Sequence, residues 1–216
     1  MKKYSKNCLG KGFLAFSVFK CGQSLLLSFA VLITVFGSAS LAVASPAVRA
    51  ASSTERSVET AQRVSRVLSH LLDQAKITFN GQIRLIDQPG FNAAAVFTTP
   101  GFIQIDESYA NGLSDGELTF VVSHELAHLL GDHHQRLQHF HAKKTPEYRV
   151  ADEARLHHEL ELDADRIGVN WTLRAGFSAL DAATALERAY GGAQQAFNTH
   201  PAAKDRTSAL FLLAPP

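Results

Sequence analysis

The chain has 216 residues, 46% of them hydrophobic, enough for one compact domain with a sizeable core. Its formal net charge is +1, but residues 1 to 44 carry Lys2, Lys3, Lys6, Lys11 and Lys20 and no acid, so +1 less five leaves the remainder at −4. A mildly acidic body gives no footing for a phosphate-binding surface and excludes nucleic acid as the expected partner.

The five lysines lead into the apolar run Leu25 to Phe36, which gives way to the small residues Gly37-Ser-Ala-Ser and Ala42-Val-Ala44. That order is the grammar of a secretory signal peptide over residues 1–44, cut after Ala44, with later small-residue sites through Ala51. An uncleaved anchor is the alternative, because Cys21 to Val48 holds no charge and is long enough to span a bilayer. The expected location is periplasmic, or inner-membrane anchored and facing the periplasm, with membrane association only through that segment. Both cysteines, Cys8 and Cys21, fall in the leader, and Lys20 before Cys21 rules out a lipoprotein box. Residues 45–216 then form one domain without disulfide or thiol chemistry.

From Ser53 to Ala75, Val58, Ala61, Val64, Val67, Leu68, Leu71, Leu72 and Ala75 recur at helical spacing among charged positions, which predicts an amphipathic helix. Asn80-Gly81 signals a turn, and Gln82 to Ile86 reads as a short strand stopped by Asp87-Gln-Pro-Gly90. Gly101 to Ile105 is a second extended stretch after Thr99-Pro100. Ser114-Asp-Gly-Glu117 is a capping box that starts a heavily apolar helix, with Gly131 placed to end it in a left-handed cap. A further helix is expected over roughly Glu147 to Arg174 and a last one over Ala179 to Tyr190, ended by Gly191-Gly192. The sum is an α+β, mainly helical domain with a small β-sheet.

Inside the capped helix lies His124-Glu125-Leu-Ala-His128, whose i, i+4 spacing puts both imidazoles on one face, one turn apart. Two zinc ligands are thereby prepositioned, and Glu125 points aside, where it can take a proton from a water acidified by the metal. The pattern also occurs by chance, but in so apolar a helix these three side chains need a partner to offset their desolvation.

A third ligand has two candidates. His134 completes the long metzincin signature His128-Leu-Leu-Gly131-Asp-His-His134, and Glu161 opens Glu161-Leu-Asp-Ala-Asp165, a segment of the gluzincin kind. Metzincins set a methionine turn beneath the metal, and this chain's one methionine is Met1, so His134 loses its support. Gly131 to His134 is then expected to be a helix stop and a solvated basic loop. Glu161 and Asp165 stand one turn apart, so that one can bind metal while the other orients a ligating histidine. The histidines at 133, 134, 139, 141, 157 and 158 are expected to be mostly exposed, with His157 and His158 placed to line the cleft, and none is expected to be a primary ligand.

Several ordered motifs resemble the M48 peptidases, the family of the Ste24 and HtpX types, and within it the soluble periplasmic BepA-like and LoiP-like members. The carriers are Phe91-Asn-Ala93 through Gly101-Phe-Ile103, Leu113 to Leu118, Val122 to His128, Glu161 to Gly168, and Thr199-His-Pro201 with Arg206. The resemblance implies a zincin-like (gluzincin) domain holding one Zn2+ on His124, His128 and Glu161, with Glu125 as general base and Asp165 behind the ligands. It implies a substrate strand along the sheet edge near Gly101 to Ile105. His200 in the late His-Pro motif would stabilise an oxyanion or cap the metal, with Arg206 assisting. Neither the internal membrane spans nor the repeat tail of other branches is expected, and partner-docking functions tied to such a tail are not carried over. The expected activity is a metalloendopeptidase cutting exported, misfolded or damaged envelope polypeptides; a zinc-containing, non-cleaving chaperone-like module is the rival.

Overall fold

The computed structural model describes residues 53–143, 150–190 and 201–213. The leader, the expected helix start at Glu147, Gly191-Gly192 and His200 lie outside the described residues.

The first helix, α1, runs Ser53–Ala75 as the periodicity predicts. Val64, Val67, Leu71 and Ala75 are buried, whereas Val58 on the same expected face stands 52% exposed, because the first turns run beyond the core. Arg63 joins α1 to the segment beside it: Nε reaches Asp115 at 2.7 Å, and the other two nitrogens donate to the Ala110 and Leu113 carbonyls at 2.9 and 2.7 Å.

Three strands follow: β1 Gln82–Ile86, β2 Ala93–Val96 and β3 Phe102–Asp106, in the order β1-β3-β2. β1 lies parallel to β3 with Leu85 opposite Ile105, and β2 antiparallel to it with Ala95 opposite Ile103. The turn before β1 needs its glycine for space, since a Cβ on Gly81 would stand 2.0 Å from the Gly101 carbonyl oxygen. The stretch near Gly101 to Ile105, expected to be a free edge, is thus the central strand with both sides paired. The edge on the side of α3 is β2.

A short helix α2, Glu107–Gly112, is capped by Asp106, which accepts from the Tyr109 backbone N–H at 2.8 Å. The central helix α3 runs Asp115–Leu130 and starts on the predicted capping box, with Glu117 accepting from the Ser114 N–H at 2.6 Å and Ser114 accepting from the Glu117 N–H at 3.1 Å. Every residue from Gly116 to His128 is buried, because α1, α5, α6 and the sheet surround the helix. Gly131 does not end it in a left-handed turn, its φ and ψ being −80° and 164°. The glycine is there for space: a Cβ would meet the Ala127 carbonyl oxygen at 2.7 Å and the His133 ring at 3.1 Å.

The expected basic loop is instead a helix, α4, His133–Ala142, and His133 is buried. Next come α5 Val150–Arg174 and α6 Ala179–Tyr190, and the chain adds a helix α7, Ala203–Leu213, beyond the one expected to be last. Among the described residues no helix is long and apolar enough to cross a membrane.

α5 packs closely on α3 because Gly168 has no side chain: a Cβ there would stand 3.2 and 3.3 Å from the His124 backbone N and Cα. Backbone cannot rotate out of the way, so Gly168→Ala must separate the two helices. It is expected to cost about 1–3 kcal/mol of stability in urea denaturation and, because Glu161 stands two turns away on the same helix, to weaken metal binding.

Candidate metal centre

α3 contributes His124 and His128 from one face, and α5 contributes Glu161 opposite them. The two Nε2 atoms lie 3.2 Å apart, His124 Nε2 stands 3.5 Å from Glu161 Oε2, and His128 Nε2 stands 3.5 Å from Glu161 Oε1. Ligands about 2.0–2.1 Å from a common tetrahedral centre are separated by about 3.3 Å. The three donors therefore already stand at the spacing a zinc ion requires. Among the described residues they form the one set of three or more His, Cys, Asp or Glu side chains gathered in this way.

The charges fit as well. Among the described residues, Glu125, Glu161 and Asp165 are buried carboxylates at or behind this centre, faced by one buried guanidinium, Arg206. Three negatives against one positive fall two charges short of neutrality, and a divalent cation supplies two.

Behind the donors, His124 Nδ1 stands 3.0 Å from Asp165 Oδ1. Arg206 grips that carboxylate with both arms of its fork, Nε donating to Oδ2 and Nη2 to Oδ1, each at 2.7 Å. Its third nitrogen lies 3.2 Å from Glu161 Oε2 and donates to the Tyr190 hydroxyl at 2.8 Å. Arg206 is wholly buried, and its fork faces the carboxylates that hold the donors. On the other side His128 Nδ1 stands 3.0 Å from His133 Nδ1, and His133 Nε2 stands 3.2 Å from Asp163 Oδ2.

The protonation of the metal-free centre follows. Burial disfavours a charged His124, but the hydrogen bonds and charges of Asp165 and Glu161 outweigh it and lift its pKa to about 10. Burial drives His128 down to about 3, so this ring is neutral, as a ligand must be. Burial raises Glu125 to about 7; the charge on His124 opposes this, and the negative charge of Glu161 adds to it. The Ala95 backbone N–H also opposes the rise, which sets the base of the cleft beside strand β2.

The sequence reading placed the three donors and Asp165 together, and geometry does the same. It did not foresee His133 and Asp163, or that Arg206 would be buried. His134 lies flat against Phe97, ring centroids 4.6 Å apart, and is not among the gathered donors. His157 lines a cavity of about 230 Å³ beside Glu161, together with His128 and Leu160.

A buried pair of histidines one turn apart, a glutamate from a second helix and a carboxylate beside them, set against a small sheet, define a zincin-like metallopeptidase domain. Residues 58–158 match the model of peptidase family M48. The match takes in His124, Glu125 and His128 and ends before Glu161, so Glu161, Asp165 and Arg206 join the centre through their geometry. No curated protein matches the chain.

Proposed function

We propose that the chain is a zinc-dependent metalloendopeptidase that cuts exported polypeptides, misfolded or damaged ones of a bacterial envelope among them. The observation that carries the peptidase reading is the meeting of three donors at tetrahedral spacing with the Glu125 carboxylate beside them. His124, His128 and Glu161 would hold the ion. Zinc bound there supplies a Lewis acid that polarises the scissile carbonyl and acidifies a water molecule.

Glu125, whose pKa near neutrality suits proton exchange, takes the proton of the attacking water on a carboxylate oxygen and returns it to the departing amine. Asp165 holds the His124 ring through Nδ1, and Arg206 holds Asp165 and Glu161, so both act by positioning. His200 is assigned to the developing oxyanion on the strength of the late His-Pro motif. An extended substrate would run along β2, the edge strand, whose Ala95 N–H is already within hydrogen-bond reach of the base. The leader pattern of residues 1–44 supports export to the periplasm.

The test is zinc content together with casein cleavage. The chain from Ser45 onward is expected to carry one zinc and to cut casein until a chelator is added, and Glu161→Ala to lose both. Bound zinc without cleavage would favour the chaperone-like module, and full zinc in Glu161→Ala would remove the proposed ligand set.

A further inference from the structure

A ligating imidazole has a second ring nitrogen, and the partner of that nitrogen fixes which way the ring faces and where its hydrogen sits. For His124 the partner is Asp165. For His128 it is another histidine, and nothing in the activity proposed above uses it.

We propose that His133 and Asp163 form a positioning relay that holds His128 as a metal ligand, with His128 Nδ1–H donating to His133 Nδ1 and His133 Nε2–H donating to Asp163. The inference rests on the metal-centre reading above. His128 Nε2 faces His124 Nε2 at 3.2 Å and Glu161 at 3.5 Å, so it must keep a lone pair to serve as a ligand. A neutral imidazole has one hydrogen, which is then on Nδ1. His133 Nδ1, 3.0 Å away, can only accept it, and this places the hydrogen of His133 on Nε2, 3.2 Å from Asp163 Oδ2. One assignment satisfies all three groups.

The local chain is built for this contact. α3 stops at Leu130 and α4 starts at His133, a break that turns the His133 ring back onto His128. The missing Cβ at Gly131 leaves room for that ring, which such an atom would approach to 3.1 Å. His133 is 2% exposed, so its polar atoms have no exchange with bulk water to fall back on. At the outer end Asp163 is a third exposed and is held by Arg166 Nη2 at 2.7 Å, which keeps the carboxylate aimed without burying it.

The relay can be tested on the metal and on the metal-free protein. His133→Phe keeps a ring in place but no acceptor, and His133→Asn puts an amide oxygen where Nδ1 stood. In competition with a chromophoric chelator, His133→Phe is expected to bind zinc 10–100-fold more weakly than the unmutated chain, with most of the loss recovered in His133→Asn and a smaller loss in Asp163→Ala. In the metal-free unmutated protein, imidazole nitrogen NMR shifts are expected to show His128 as the Nδ1–H tautomer, reverting toward Nε2–H in His133→Phe. Equal zinc affinity in unmutated protein and His133→Phe, no recovery by His133→Asn, or an Nε2–H His128 in the unmutated protein would each overturn the relay. If the unmutated chain takes up no zinc, the metal reading itself fails, while the tautomer measurement still decides the hydrogen bond.

Discussion

Glu125→Gln is expected to slow casein cleavage by about two to four orders of magnitude, the span that a positioned general base contributes, while zinc content stays at one per chain. The amide keeps the shape of the side chain and an oxygen that can face the Ala95 N–H. What it lacks is the ability to take a proton from water. Loss of zinc in this variant would instead make Glu125 a structural member of the centre.

The same substitution has an effect on stability with the opposite sign. The folded pKa of Glu125 is raised from 4.5 to about 7, chiefly by burial. Below pH 4.5 the carboxyl is protonated both folded and unfolded, and its ionisation takes nothing from the fold. As the pH rises from 4.5 towards 7 the unfolded chain gives up this proton while the folded one, under the burial penalty, keeps it, so stability falls and the loss is complete above about 7. The metal-free Glu125→Gln protein should therefore melt above the unmutated one at pH 8 and close to it at pH 4. The base is kept at a cost to the fold.

Which parts of this molecule could be read from residues alone depends on whether local pattern or tertiary packing decides them. α1 was legible to the residue, because one face packs on the core and the other meets water, and Ser114 with Glu117 announced the start of α3 through side chains that cap it. β2 was not legible. Ala93-Ala-Ala-Val96 has no alternation and Val96 alone as a strand-forming side chain, and its residues are buried because α3 covers them and β3 pairs with them. The four-residue ladder to β3, not β-propensity, makes it a strand.

At the centre, the gathering of His124, His128 and Glu161, with Asp165 beside them, was legible because ligation of a metal would impose fixed spacings on helices. His133 was obscured by the neighbouring Gly131 and His134, which complete another signature. The glycine there serves the contact between His133 and His128, and a histidine five residues after the second ligand was the available signal. Asp163, and the burial of Arg206, were hidden for a simpler reason: a charged residue in sequence carries no mark of whether it ends at the surface or, like Arg206, wholly inside.

Arg206→Leu is expected to be the most damaging substitution of a residue that touches neither metal nor substrate. It removes the guanidinium that faces Asp165 and Glu161, ending two 2.7 Å bonds to the first and a 3.2 Å contact to the second. Leaving buried charge unpaired costs about 3–5 kcal/mol, so the metal-free variant should be unfolded or nearly so in mild urea. The carboxylates then lose their guanidinium, and in the loaded centre, where His124 is a neutral ligand, bound zinc supplies more of the compensating charge than it does beside Arg206. Saturating zinc should accordingly raise the urea midpoint of Arg206→Leu by more than it raises that of the unmutated chain. Arg206→Lys should recover only part of the loss, since an ammonium is a point charge and cannot span both oxygens of Asp165 while reaching Glu161 and Tyr190. The double variant Arg206→Leu with Asp165→Leu removes the pair together and should be more stable than Arg206→Leu alone, yet still bind zinc weakly, because His124 has lost the group that fixes its ring. If Arg206→Leu unfolds at the same urea concentration as the unmutated protein, the charge balance argued for this centre is wrong.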